Sequence, residues 1–128
     1  GVTVIYESPV NSNQPYPAKF KSFHADNLTL GKQLKAKIAP SVIAWMYYLG
    51  PEPTTEQRLS LYGADKVHTS KKGAYMAACC IYSAITGLSP IGLSPVIPSF
   101  GSDQFSKEDA QRLQEASWKA FLDANPAE

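Results

Sequence analysis

The sequence predicts an α/β fold with a parallel sheet. Strand-like and helix-like segments alternate in the first third of the chain, and two further helix patterns follow without another convincing strand. A complete doubly wound domain carries about five strands. With only two strand candidates, the 128 residues read as the second half of such a domain, one partial domain from residue 1 to 128.

Val2 to Tyr6 (Val-Thr-Val-Ile-Tyr) is β-branched and aromatic, the composition of a buried strand. Glu7 to Pro17 holds Pro9, Pro15 and Pro17 among Asn11, Ser12 and Asn13, and reads as a surface loop. A helix is expected from Ala18 to Ala39. Phe20, Phe23, Leu28, Leu30, Leu34 and Ile38 supply its apolar positions, Lys32, Lys35 and Lys37 its solvated ones, and Gly31 interrupts it. Ala39 to Leu49 reads as a short strand running into an aromatic-rich helix or turn, with Pro40 at the strand start, where a missing donor costs least.

Gly50 to Thr55 breaks that element and leads to a polar segment carrying Asp65 and His68. Lys71 to Ile85 is apolar nearly all round, the mark of a buried helix, and Gly87 is placed to end it. Residues 88–105, with Pro90, Pro95 and Pro98 and a repeated Gly-Leu-Ser-Pro, read as an extended wrapping loop. Residues 106–124 form a closing helix, with Ser106 as N-cap and acids in the first turn. Ala110, Leu113, Ser117, Ala120 and Phe121 give it one apolar stripe for docking.

Composition removes several function classes. Hydrophobic residues at 44% and charged residues at 18% describe an ordered globular chain. A net charge of +1 with scattered Lys and Arg leaves no footprint for nucleic acid. No apolar run reaches the roughly 18 residues of a membrane span. The opening Gly-Val-Thr-Val-Ile has no basic or cleavage-site pattern. Cys79 and Cys80 are adjacent, which disfavours a mutual disulfide, and read as small buried side chains or as one bridge to a partner chain. His24 stands alone between Phe23 and Ala25 and reads as a surface or capping residue. A zinc site from His24, His68 and a carboxylate has no support in the spacing. Trp45, Tyr47 and Tyr48 either line a ligand groove or pack the sheet edge.

Asp65 and His68 are the one legible chemical signal. An acid three residues before an imidazole on a turn can hold one ring nitrogen, fix the tautomer and stabilise the imidazolium of a serine hydrolase. The plain alternative makes Asp65 a turn former, His68 an exposed loop residue, and Thr69 or Ser70 a helix cap.

The surrounding residues add specificity. Ala39-Pro-Ser-Val-Ile-Ala-Trp45, Leu61-Tyr62, Asp65-Lys-Val-His68-Thr-Ser70, Gly73-Ala-Tyr-Met-Ala-Ala-Cys79 and Gly87-Leu-Ser-Pro-Ile-Gly-Leu93 occur in consecutive order. This succession resembles the C-terminal part of the SGNH (GDSL-type) hydrolases, over a little under half the chain. The resemblance implies the C-terminal half of a flavodoxin-like three-layer fold, with His68 as general base and Asp65 as its orienting partner. It also implies an ester substrate, an O-acetylated carbohydrate being one such ester, with no cofactor, and it favours a secreted or cell-surface setting.

Thr69 replaces the family's usual proline, and the Gly-Asp-Ser nucleophile block is absent, as are the Gly and Asn blocks that donate to the oxyanion. No serine reads as a strand–Ser–helix elbow from the sequence. The chain alone is therefore expected to be inactive, its serine coming from a preceding segment or a second chain. The competing expectation is a non-catalytic structural or assembly subunit that keeps the half-fold and binds neighbouring copies as a homo-oligomer.

Overall fold

The β-branched opening run forms strand β1 (Val4–Tyr6) in a computed structural model that describes residues 1–96 and 105–127. Helix α1 (Ala18–Leu34) follows and leads to strand β2 (Lys37–Ala39), which pairs in parallel with β1. Val4 faces Lys37, Ile5 faces Ile38 and Tyr6 faces Ala39. Helices α2 (Ser41–Leu49), α3 (Thr55–Leu59), α4 (Lys71–Thr86) and α5 (Lys107–Ala124) complete a mixed α/β arrangement of a two-stranded parallel sheet and five helices among the described residues.

Two expectations move. The helix expected to run to Ala39 ends at Leu34, because Lys35 turns into the left-handed region (φ 52°) and its N–H, with that of Ala36, closes on the Gly31 carbonyl. Lys37 to Ala39 then pair with β1, although their Lys-Ala composition continues the helical pattern. The second strand thus comes before Pro40, and the stretch expected to begin as strand is helix α2. Pro40 occupies the N-cap of α2, where its missing donor is harmless. Helix α3 was not expected, yet it carries a full capping box. The Thr54 hydroxyl accepts from Gln57 N–H, and the Gln57 side chain accepts from Thr54 N–H.

The two later helices follow the sequence closely. Ser70 caps α4 by accepting from Gly73 N–H, Gly87 ends it at φ 73°, and Ser106 caps α5 by accepting from Asp109 N–H. Burial of α4 is less complete than its composition suggests, since Ala78 and Ile85 face outward. Residues 88–96 run without regular structure against α4 and α5. The Tyr75 hydroxyl donates to Ser94 O, and Gln114 spans Gly92 N–H and Leu93 O. The remainder of the expected wrapping loop, 97–104, lies outside the described residues.

Trp45 is the centre of the core, its ring 4.9 Å from Tyr62 edge-on and 6.1 Å from Phe20. The sheet is asymmetric. Ile38 at the outer side of β2 is closed by Asn125, whose side-chain oxygen accepts from Ile38 N–H at 2.8 Å and whose amide donates to Ile38 O at 2.9 Å. One side chain thereby imitates a neighbouring strand. On the other side, Thr3 O and Glu7 N–H bond to β2, so the alternation of a parallel ladder turns Val4 and Tyr6 outward. No described strand pairs with that edge.

Candidate functional site

The segment after β1 and the segment before α4 meet at the C-terminal end of the sheet. Ser12 N–H donates to Lys66 O at 3.4 Å, the Arg58 guanidinium donates to Ser12 O at 3.2 Å, and the Tyr62 hydroxyl donates to Val10 O. Open α/β sheets bind ligands outside the carboxyl ends of their strands.

Within this corner, residues 61–70 fold back on themselves. Gly63 N–H donates to His68 O at 2.7 Å and Ser70 N–H to Leu61 O at 2.9 Å, around a bridge between Tyr62 and Thr69. Lys66 adopts φ 60° at the tip. Asp65 Oδ1 accepts from Val67 N–H and His68 N–H, both at 2.9 Å, which is the turn-forming role an aspartate plays in loops. Its second oxygen, Oδ2, lies 2.5 Å from His68 Nδ1.

The structure therefore brings the two expected residues together, and one carboxylate performs both roles. Oδ1 shapes the loop while Oδ2 orients the ring. The His68 side chain is 85% exposed. With Nδ1 held by the carboxylate, Nε2 is the nitrogen left for chemistry. The His68 imidazole, followed by the two backbone N–H groups, holds the Asp65 carboxyl down at about 2. Asp65 is thus ionised at neutral pH, and Nδ1 carries the proton it donates.

Because the folded value is depressed, whatever Asp65 adds to stability is complete above the ordinary carboxylate range and is lost as pH falls toward 2. Carboxyl-carbon NMR of Asp65 is expected to give a midpoint near 2. In His68→Ala the midpoint should move upward but stop short of the unperturbed value, since the backbone donors remain. An unchanged midpoint in that variant would mean the imidazole does not touch the carboxylate.

The platform beneath the loop depends on Gly73. A Cβ there would stand 2.5 Å from Leu61 O, 3.1 Å from Thr69 Cβ and 3.2 Å from Trp45 Cζ2. Glycine to alanine inside a helix ordinarily gains about 0.5–1 kcal/mol. Here the clash with backbone outweighs that gain, and Gly73→Ala is expected to cost about 1–3 kcal/mol in urea unfolding. It should also shift the backbone NMR signals of Asp65 to Ser70, because the first turn of α4 must withdraw from the loop.

The other candidates take structural places. His24 is not a surface or capping residue: its Nδ1 lies 2.6 Å from Oε2 of the fully buried Glu7, and its side chain is 12% exposed. Among the described residues no group of three His, Cys, Asp or Glu side chains could hold a metal ion. Trp45 belongs to the core, whereas Tyr47 and Tyr48 lie between α2 and α5 with Lys119 and Arg112 over their rings. Cys79 and Cys80 are free and buried, and burial pushes both thiols up to about 12, far from a reactive thiolate. No described helix is long and apolar enough to cross a membrane.

Sequence reasoning missed the burial of Glu7, the packing role of Gly73 and the Ser12–Lys66 link. Only a proline-rich loop following a strand hinted at the contacts that Val10 and Ser12 make with this corner. The chain matches no family model, no curated protein and no solved structure.

Proposed function

We propose that this chain is the C-terminal half of an SGNH-type ester hydrolase. In this reading it supplies His68 and Asp65 to a serine carried on a preceding segment or a second chain. The observation that carries the reading is the 2.5 Å pairing of His68 Nδ1 with Asp65 Oδ2, on a ring left open to solvent. Nε2 takes the serine proton as Oγ attacks the ester carbonyl, and Asp65 stabilises the imidazolium. The imidazolium then returns that proton to the departing alcohol, leaving an acyl-serine. Water attacks the acyl-serine by the same route in reverse, releasing the acid. The substrate class, an ester such as an O-acetylated carbohydrate, follows from the resemblance in residues 39–93.

The sheet supports a half-domain. Parallel strands are normally flanked by further strands and covered on both faces. Here Asn125 terminates the β2 side, while no described strand pairs with the outer edge of β1. Additional strands of a flavodoxin-like, three-layer fold would join at β1.

A fluorophosphonate probe tests the proposal. It should label the serine of the hydrolase assembled with its nucleophile-bearing segment and leave the isolated chain unlabelled. An intact assembly that resists the probe overturns the reading. The exposed Ile85, Leu88, Ile91 and Val96 favour a second reading, a non-catalytic assembly subunit. In that case sedimentation would show large homo-oligomers and His68→Ala would leave them intact.

A further inference from the structure

Three lysines gather at the opposite end of the sheet from His68. Lys32 and Lys35 close helix α1 and Lys37 opens strand β2. All three are exposed, and none has an ion-pair partner among the described residues. They line a groove of about 540 Å³ whose apolar part includes Leu28, Ile38 and Pro126, and no described carboxylate lines it. In a chain whose net charge is only +1, this is a local concentration of positive charge beside an apolar floor.

The plain reading is that lysines complement the negative end of a helix. It accounts for only part of this site, because some of the terminal carbonyls are already engaged. Gly31 O accepts from the N–H groups of Lys35 and Ala36, and Lys32 O accepts from Lys35 N–H. On the facing helix, Phe121 O accepts from both the backbone and the side chain of Asn125. None of the three ammonium groups has a hydrogen-bond or ion-pair partner among the described residues, so their donors are open to a ligand. The groove volume falls within the range of small-molecule sites, roughly 300–1,000 Å³.

We infer that this groove binds a small amphiphilic anion, with its carboxylate among Lys32, Lys35 and Lys37 and its aliphatic body on Leu28 and Pro126. The site is separate from the Asp65–His68 corner and independent of the esterase reading, since it uses no residue of that corner. The charge selects an acid over the corresponding alcohol, and the floor selects an aliphatic acid over a bare anion.

Titrating the chain with sodium octanoate under NMR observation should give saturable shifts at Leu28, Lys32, Lys35, Lys37 and Ile38. 1-Octanol and inorganic phosphate should each bind at least about tenfold more weakly. The triple variant Lys32→Gln, Lys35→Gln, Lys37→Gln should lose about tenfold or more in octanoate affinity. Raising the salt from about 20 to 500 mM should weaken octanoate binding to the unaltered chain, which checks the charge without any substitution. Equal binding of octanol, equal binding of phosphate, an unmoved affinity in the triple variant, or no saturable shift at these residues would each overturn the inference.

Discussion

If the proposed ester hydrolase assembles with its serine, His68→Ala is expected to abolish turnover, with kcat falling by about a millionfold, the loss seen when a triad histidine is removed. Asp65→Asn should cost about ten-thousandfold, because the asparagine amide keeps the shape while favouring the wrong imidazole tautomer. The choice of Asn over Ala matters here. Asp65 Oδ1 accepts the two backbone bonds from Val67 and His68 that shape the turn, and Asn retains an oxygen for them. Neither change should move the thermal midpoint much, since both side chains stand in solvent. Loss of rate with retained folding is what separates a catalytic pair from a loop-forming one. A His68→Ala assembly that still hydrolyses ester at the unaltered rate would leave Asp65 as a turn former and nothing more.

The parts of this arrangement legible in the sequence are those decided within a few residues. The Asp65–His68 pair spans one turn. Ser70 and Ser106 announce α4 and α5, and Gly87 ends α4, all through local hydrogen bonds. The exchange of strand and helix around Pro40 was not legible. Lys35 to Ala39 are acceptable helix residues and Val42-Ile43 are acceptable strand residues, so local preference pointed the wrong way. Pairing with β1 and burial of Trp45 decided the matter. Equally hidden were contacts between distant residues: Asn125 on Ile38, Gly73 under Leu61, and Glu7 with His24. The candidate site mixes both kinds. Its pair is local and readable, while its platform and its neighbouring loop are assembled by the fold.

Glu7 and His24 carry the largest expected effect on stability. Glu7 follows β1 directly and is completely buried, with Oε2 held by His24 Nδ1 at 2.6 Å and by Asn27 Nδ2 at 3.2 Å. Its other oxygen has no hydrogen-bond partner among the described residues. The carboxylate therefore depends on His24 for most of its compensation. His24→Ala should destabilise the chain by about 3–5 kcal/mol, the cost of stranding one member of a buried pair. That is a large share of the roughly 5–15 kcal/mol that holds a domain folded. Glu7→Met should cost less, because it removes the fully buried acid itself and leaves no stranded carboxyl group. The double variant Glu7→Met, His24→Leu should recover most of the loss, since an apolar pair of similar volume needs no compensation. Urea unfolding of the four proteins in a double-mutant cycle measures this directly. Strictly additive effects would show that the two side chains are neighbours without being coupled. Because Glu7 also leads into the loop whose Ser12 touches Lys66, the destabilised single variant should loosen the Asp65–His68 corner as well. Faster amide exchange at Ser12, while the Asn125–Ile38 end of the sheet stays protected, would locate the opening at the site end of the molecule.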